Sequence, residues 1–150
     1  MTTAKKPAAP KKPTAPKLAK GGRYIEAIGR RKTSVARVRL TPAGKGIAIT
    51  VNGRKFEDYF PIAKHRAIVV APFGAVSMTG YEVSVRAEGG GVNGQAEATR
   101  LGVARALIRI EGLHRPRLKQ LGFLKRDPRA VERKHPGLRK ARRPQQWRKR

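Results

Sequence analysis

The chain has 150 residues, carries 36 Lys and Arg against 9 Asp and Glu for a net charge of +27, and contains no Cys. That charge makes nucleic acid the default partner, and the missing Cys excludes disulfides, thiolate metal sites and thiol catalysis. No apolar run approaches the roughly 18 residues of a membrane span, and two charged ends leave one domain of roughly 100 residues, enough for a single modest core.

Residues 1–22 are almost wholly Ala, Lys, Pro and Thr. Such a composition buries no area, so a disordered extension is expected. It has neither the apolar middle of a secretory signal nor the Arg and Ser of a transit peptide, and the expected location is the cytosol or an organelle matrix. The globular part is read as residues 23–124. From Tyr24 the chain becomes ordered, and Ala36, Val38 and Leu40 alternate with Arg37 and Arg39 at the period of a half-buried strand. The two arginines then form a row, and just before them Arg30, Arg31 and Lys32 sit beside Gly29, Thr33 and Ser34, all suited to donate to phosphate. Residues 30, 31, 32, 37 and 39 are expected on one RNA-facing edge.

A second strand, Ile47 to Val51, ends at Asn52-Gly53, a strong hairpin signal. A helix from about Ile62 to Ala71 fits between Pro61 and Pro72, since proline opens a helix and ends what it follows. Glu57 and Asp58 are read as first-turn acids, because adjacent carboxylates in a helical turn point apart and make no catalytic couple.

Tyr81 to Ala87 alternates cleanly as a strand and runs into Gly89-Gly90-Gly91-Val92-Asn93-Gly94. The spelling matches a dinucleotide fingerprint, but no second strand ending in an acid can be built after Glu111, so no cofactor is expected. Two readings stay open. The amides around Gly90, Gly91 and Asn93 meet an RNA phosphate at a helix N-terminus, or the glycines form a purely structural turn. The helix Gln95 to Glu111 carries the core, with Arg105 and Arg109 on its outer face and Arg100 inside the apolar arc, where it must find an acceptor. Pro116 opens a short helix closed by Gly122. The three histidines lack metal-ligand spacing, and neither metal nor catalytic residue is expected.

Residues 125–150 hold twelve Lys or Arg against Asp127 and Glu132, with apolar residues too scattered for a core. Self-repulsion should keep this tail extended until it meets a polyanion. Lys125, Arg126, Arg129, Arg133, Lys134, Arg139, Lys140, Arg142 and Arg143 are its anchoring cations, and Asp127-Pro128 signals a brief helix to about Lys134. Trp147, Arg148, Lys149 and Arg150 form the end, with one large aromatic among three cations. The alternative that composition leaves standing is a histone-like, nucleic-acid-compacting protein.

Five motifs occur in order: Gly29-Arg30-Arg31-Lys32-Thr33-Ser34-Val35-Ala36-Arg37-Val38; Asn52-Gly53 with Tyr59-Phe60-Pro61; Gly89-Gly90-Gly91 with Gly94-Gln95-Ala96; Gly102 to Leu107; and Arg126-Asp127-Pro128-Arg129 with Val131-Glu132-Arg133-Lys134. Through them the chain resembles the bacterial form of the small-subunit ribosomal protein nine family. The resemblance implies an α+β domain with a mixed four-stranded sheet packed by helices, like the second domain of small-subunit protein five. It implies binding to the 3′ major domain of the small-subunit ribosomal RNA in the subunit head, beside head proteins such as seven, ten and fourteen, and no small-molecule substrate. It further implies a C-terminal tail that reaches the anticodon stem-loop of peptidyl-site transfer RNA through Lys149 and Arg150. The family usually has a small hydroxyl residue where this chain has Arg148, and Phe or Tyr where it has Trp147.

Overall fold

The computed structural model describes residues 24–44 and 46–147. The expected disordered extension, residues 1–22, lies outside them. Five strands, β1 (Ile25–Arg31), β2 (Ser34–Pro42), β3 (Ile47–Val51), β4 (Arg54–Lys55) and β5 (Tyr81–Glu88), form one sheet in the order β1-β2-β5-β3-β4. Only β3 and β5 are parallel. The mixed α+β architecture is the one anticipated, and the strand beyond four is the two-residue β4 behind the Asn52-Gly53 turn, where both residues take positive φ.

Helix α1 (Phe56–Tyr59) and helix α2 (Ala63–Val76) connect β4 to β5, and helix α3 (Val92–Ile110) follows β5. A 3-10 turn, Gly112–His114, leads into α4 (Arg115–Gln120). The period-2 pattern of β2 and β5 puts Ala36, Val38, Leu40, Val83, Val85 and Ala87 on one face of the sheet, where they bury against α2 and α3. The other face is open. Burying such aliphatic side chains stabilises the domain by about 1.5–3 kcal/mol each for the larger ones.

α3 lies almost backbone to backbone on β1. A Cβ at Gly29 would stand 1.8 Å from the Ala98 carbonyl oxygen, and one at Gly102 would stand 2.6 Å from Val38 Cγ2. A glycine inside a helix costs about 1 kcal/mol, and at Gly102 this approach offsets it. Ala98 and Ala106 keep the rest of that helix face thin enough to follow.

Three helix expectations are corrected. α2 does not stop before Pro72 but continues to Val76, with Pro72 and Phe73 both buried. Proline gives up one helical hydrogen bond, at a cost of about 3 kcal/mol, while burial of the Phe73 ring contributes a comparable amount in the other direction. The brief helix expected after Asp127 is absent. Asp127 Oδ1 does accept the Arg129 N–H at 2.9 Å, as a cap would, but residues 128–137 are all exposed and have no apolar face to offset the cost of nucleating a turn. α3 itself begins at Val92, three residues before the expected Gln95.

Residues 125–135 form neither helix nor strand, and the tail then bends back on itself. Arg139 N–H donates to the Arg143 carbonyl at 2.8 Å, Leu138 bridges Pro144, and Arg142 forks onto Glu132 at 2.9 and 2.6 Å. That exposed ion pair adds little to stability.

Candidate nucleic-acid interface

The ends of β1 and β5, the start of β2 and the N-terminus of α3 meet at one pole of the domain. The ladder runs to this end of β1, β2 and β5, with Arg31 opposite Ser34 and Glu88 opposite Val35, and side chains extend the connection to β3 and α3. Beyond the end of β3, the Asn52 amide takes the place of a strand residue, donating to the Ala87 carbonyl and accepting its N–H, both at 2.9 Å. The Tyr59 hydroxyl donates to Gln95 Oε1 at 2.6 Å, and Gln95 Nε2 donates to the Gly89 carbonyl at 3.2 Å. Asn52, Tyr59 and Gln95, from two of the sequence motifs, thus hold the loop Gly89-Gly90-Gly91 in place. Asn52→Gly keeps the left-handed turn and removes only the amide; it should cost about 1–3 kcal/mol in urea unfolding because Ala87 is left with unpaired polar groups. Unchanged stability would show that the amide is idle.

The glycine run is a packing device. A Cβ at Gly89 would meet the Thr33 carbonyl oxygen at 2.6 Å, and at Gly90 the Ser34 Oγ at 2.1 Å. Both take positive φ, and Gly94 also lies against Ser34. Close packing thus requires glycine at 89, 90 and 94, while Gly91 and Asn93 stay exposed at the start of α3. Beside them the β1–β2 turn holds Lys32 exposed at φ 52, a left-handed conformation that lysine rarely takes.

The five cations expected on one edge are split, with Lys32 in the turn, three on the open face and Arg31 turned inward. Arg30, Arg37 and Arg39 lie on the open face of the sheet. Glu26 sits between the last two, 2.8 Å from Arg39 and 3.5 Å from Arg37, and Arg39 also covers the Tyr24 ring at 4.6 Å. One carboxylate faces two guanidiniums, so positive charge is left over. Arg37 stands directly opposite Arg86 on β5, a like-charge pair eased by the Arg86 contact with Glu88 at 3.1 Å. Arg31 belongs to neither the face nor its edge. With Ala27 and Gly29 it points inward, is 11% exposed, and commits its guanidinium to Glu97, Asp127 and the Arg129 carbonyl.

Arg105 and Arg109 donate to the carbonyls of Ile28 and Glu26 on the outer edge of β1. They cover an edge strand with charge, which blunts strand-to-strand association. Arg100 finds no carboxylate: its guanidinium sits 5.6 Å from the Phe123 ring, and Nε is buried without a partner. It shares a shallow cleft of about 240 Å³ with Arg30, Lys125 and Arg126 at the root of the tail. Asp127 in the same cleft is held well below the usual carboxylate range, first by hydrogen bonds from Arg129 and further by Arg31. Its pairing therefore survives acidification through the ordinary carboxylate range, and is lost only as pH falls beyond it.

In the tail, Arg133, Lys134, Arg139, Lys140 and Arg143 are exposed, and among the described residues they have no carboxylate partner. Trp147 is 98% exposed. Arg148, Lys149 and Arg150 lie outside the described residues. Sequence reasoning missed Asn52, Tyr59, Gln95 and Glu97 as organisers of this pole; the fixed spacing of the motifs that contain the first three was the available signal. No helix among the described residues is long and apolar enough to cross a membrane.

The family model described as ribosomal protein S9/S16 matches residues 29–150. A small ribosomal subunit protein uS9 from Leifsonia xyli subsp. xyli is 52% identical over 126 residues, covering 83% of this chain and 74% of that protein. Proteins of the same name from Nocardia farcinica and Mycobacterium tuberculosis are each 50% identical over 129 residues, covering 85% of this chain and 76% and 84% of theirs.

Proposed function

The chain belongs to the uS9 family of small ribosomal subunit proteins, structural constituents of the ribosome, and from that premise we propose how its surface is divided between two RNAs. The pole and the adjoining open face of the sheet bind ribosomal RNA of the 3′ major domain in the subunit head, next to other head proteins such as seven, ten and fourteen. Arg30, Lys32, Arg37, Arg39 and Arg100 supply cations there, and the amides at Gly91 and Asn93 add the positive end of α3. Arg105 reaches the same RNA only at the cost of its bond to β1, and Arg31 is removed from the set of ligands. The tail cations from Lys125 to Arg143 then follow the RNA backbone. At the end, Trp147 and residues 148–150 touch peptidyl-site transfer RNA, with the ring stacking and the arginines forking onto phosphate. The ribosome of the cytoplasm is the setting this implies.

The observation that carries this reading is the run of exposed tail cations without carboxylate partners, joined to a domain whose own basic residues gather at the point where the tail leaves. A polycation that cannot pack against itself is stabilised by a polyanion. DNA compaction, which composition alone would permit, loses its footing with family membership.

Arg30→Glu together with Arg37→Glu tests the face directly, because both side chains are exposed and neither holds the core. The variant should fail to cofractionate with small subunits while its circular dichroism stays that of the parent. Normal incorporation would remove the open face from the interface.

A further inference from the structure

We propose that Arg31 is a positioning residue: it clamps the root of the basic tail to the domain and so sets the direction in which the tail leaves. Its guanidinium gathers three acceptors from two parts of the chain about 30 residues apart. Nε donates to Glu97 on α3, Nη2 meets Asp127 at 3.0 Å, and Nη1 donates to the Arg129 carbonyl. A guanidinium offers its donors in one rigid plane, so three acceptors fix the tail in angle as well as in distance. A lysine at this position has no such fork.

Among the described residues the clamp also holds the last hydrogen bonds and ion pairs between tail and domain. Phe123 and Leu124 still pack against the core, whereas residues 128–137 are all exposed. Asp127 contributes twice. Its carboxylate takes Arg31, and its Oδ1 accepts the Arg129 N–H at 2.9 Å, which bends the chain so that the Arg129 carbonyl meets the same guanidinium. Pro128 between them restricts the backbone further. Beyond this point an extended chain reaches at most about 70–75 Å, so a modest change of exit angle moves its end by many ångströms. The clamp gains a purpose from the proposed transfer RNA contact, but its existence does not depend on that contact.

Because the chain has no Cys, spin labels can be placed on Lys64→Cys in α2 and Ala130→Cys in the tail of the full chain, and the distance between them measured by pulsed electron resonance. The parent should give one narrow distribution. Arg31→Met, Arg31→Lys and Asp127→Lys should each give a broad one, roughly that of a flexible chain, with circular dichroism unchanged. Asp127→Lys leaves the Arg31–Glu97 pair in place, so it decides the matter if Arg31→Met does not fold. A narrow, unshifted distribution in folded Asp127→Lys would overturn the clamp. Broadening in the full chain with undiminished retention of transfer RNA by subunits carrying the variant would leave the clamp standing and count instead against the assignment of the tail end.

Discussion

Gly29→Ala should cost the domain more than about 3 kcal/mol and lower its melting temperature by about 10–20 °C. The added methyl would stand 1.8 Å from the Ala98 carbonyl oxygen and 2.6 Å from the Gly102 nitrogen. Neither atom belongs to a flexible side chain, so β1 and α3 must move apart along their length, and their close approach closes one end of the core. Total stabilities of domains this size are about 5–15 kcal/mol, which makes the loss a large fraction. Gly74→Ala is the contrast: its methyl meets nothing within 4 Å in a regular helix, and it should gain up to about 1 kcal/mol. Two equal melting curves for these variants would mean that α3 does not rest on β1 as described.

Affinity for small-subunit ribosomal RNA should collapse with salt. If the tail meets about six phosphates, the full chain loses roughly a thousandfold in affinity between about 50 and 200 mM salt, because releasing bound counterions then yields less entropy. Replacing Arg133, Lys134, Arg139 and Lys140 by alanine should flatten the slope by about 0.7–0.9 for each phosphate that is no longer neutralised. A flat response in the parent would contradict an interface built on the phosphate backbone.

How much of this was legible in the sequence depends on the kind of signal. β2, β3, β5 and α3 announced themselves because one face of each is buried and the period shows it. β1 did not. Its inward positions include Gly29 and Arg31, which break the apolar alternation, and its hairpin turns at Lys32-Thr33, without the glycine or asparagine that marks such turns. The same blindness misplaced Arg31. Within a run of three cations it read as one more phosphate ligand, whereas strand parity with Ala27 and Gly29 sends it inward. Pro72 misled for another reason: proline's local cost is real, but the sequence does not display the pocket that receives Phe73. The motif glycines were legible as a unit yet ambiguous in purpose, since close packing against Thr33 and Ser34 and a phosphate-binding loop call for the same residue.

The proposed function centres on the tail, and its last three residues offer the most direct test. Small subunits should be assembled with the full chain and with a chain ending at Trp147, and the dissociation of peptidyl-site transfer RNA followed in each. Removing Arg148, Lys149 and Arg150 takes away three of the twelve tail cations, and the upstream cations should still hold the protein in place. Normal incorporation with faster release of transfer RNA is the predicted result. Failure to incorporate, or incorporation with release as slow as in the parent, would contradict the division of the tail into an anchor and a sensing end.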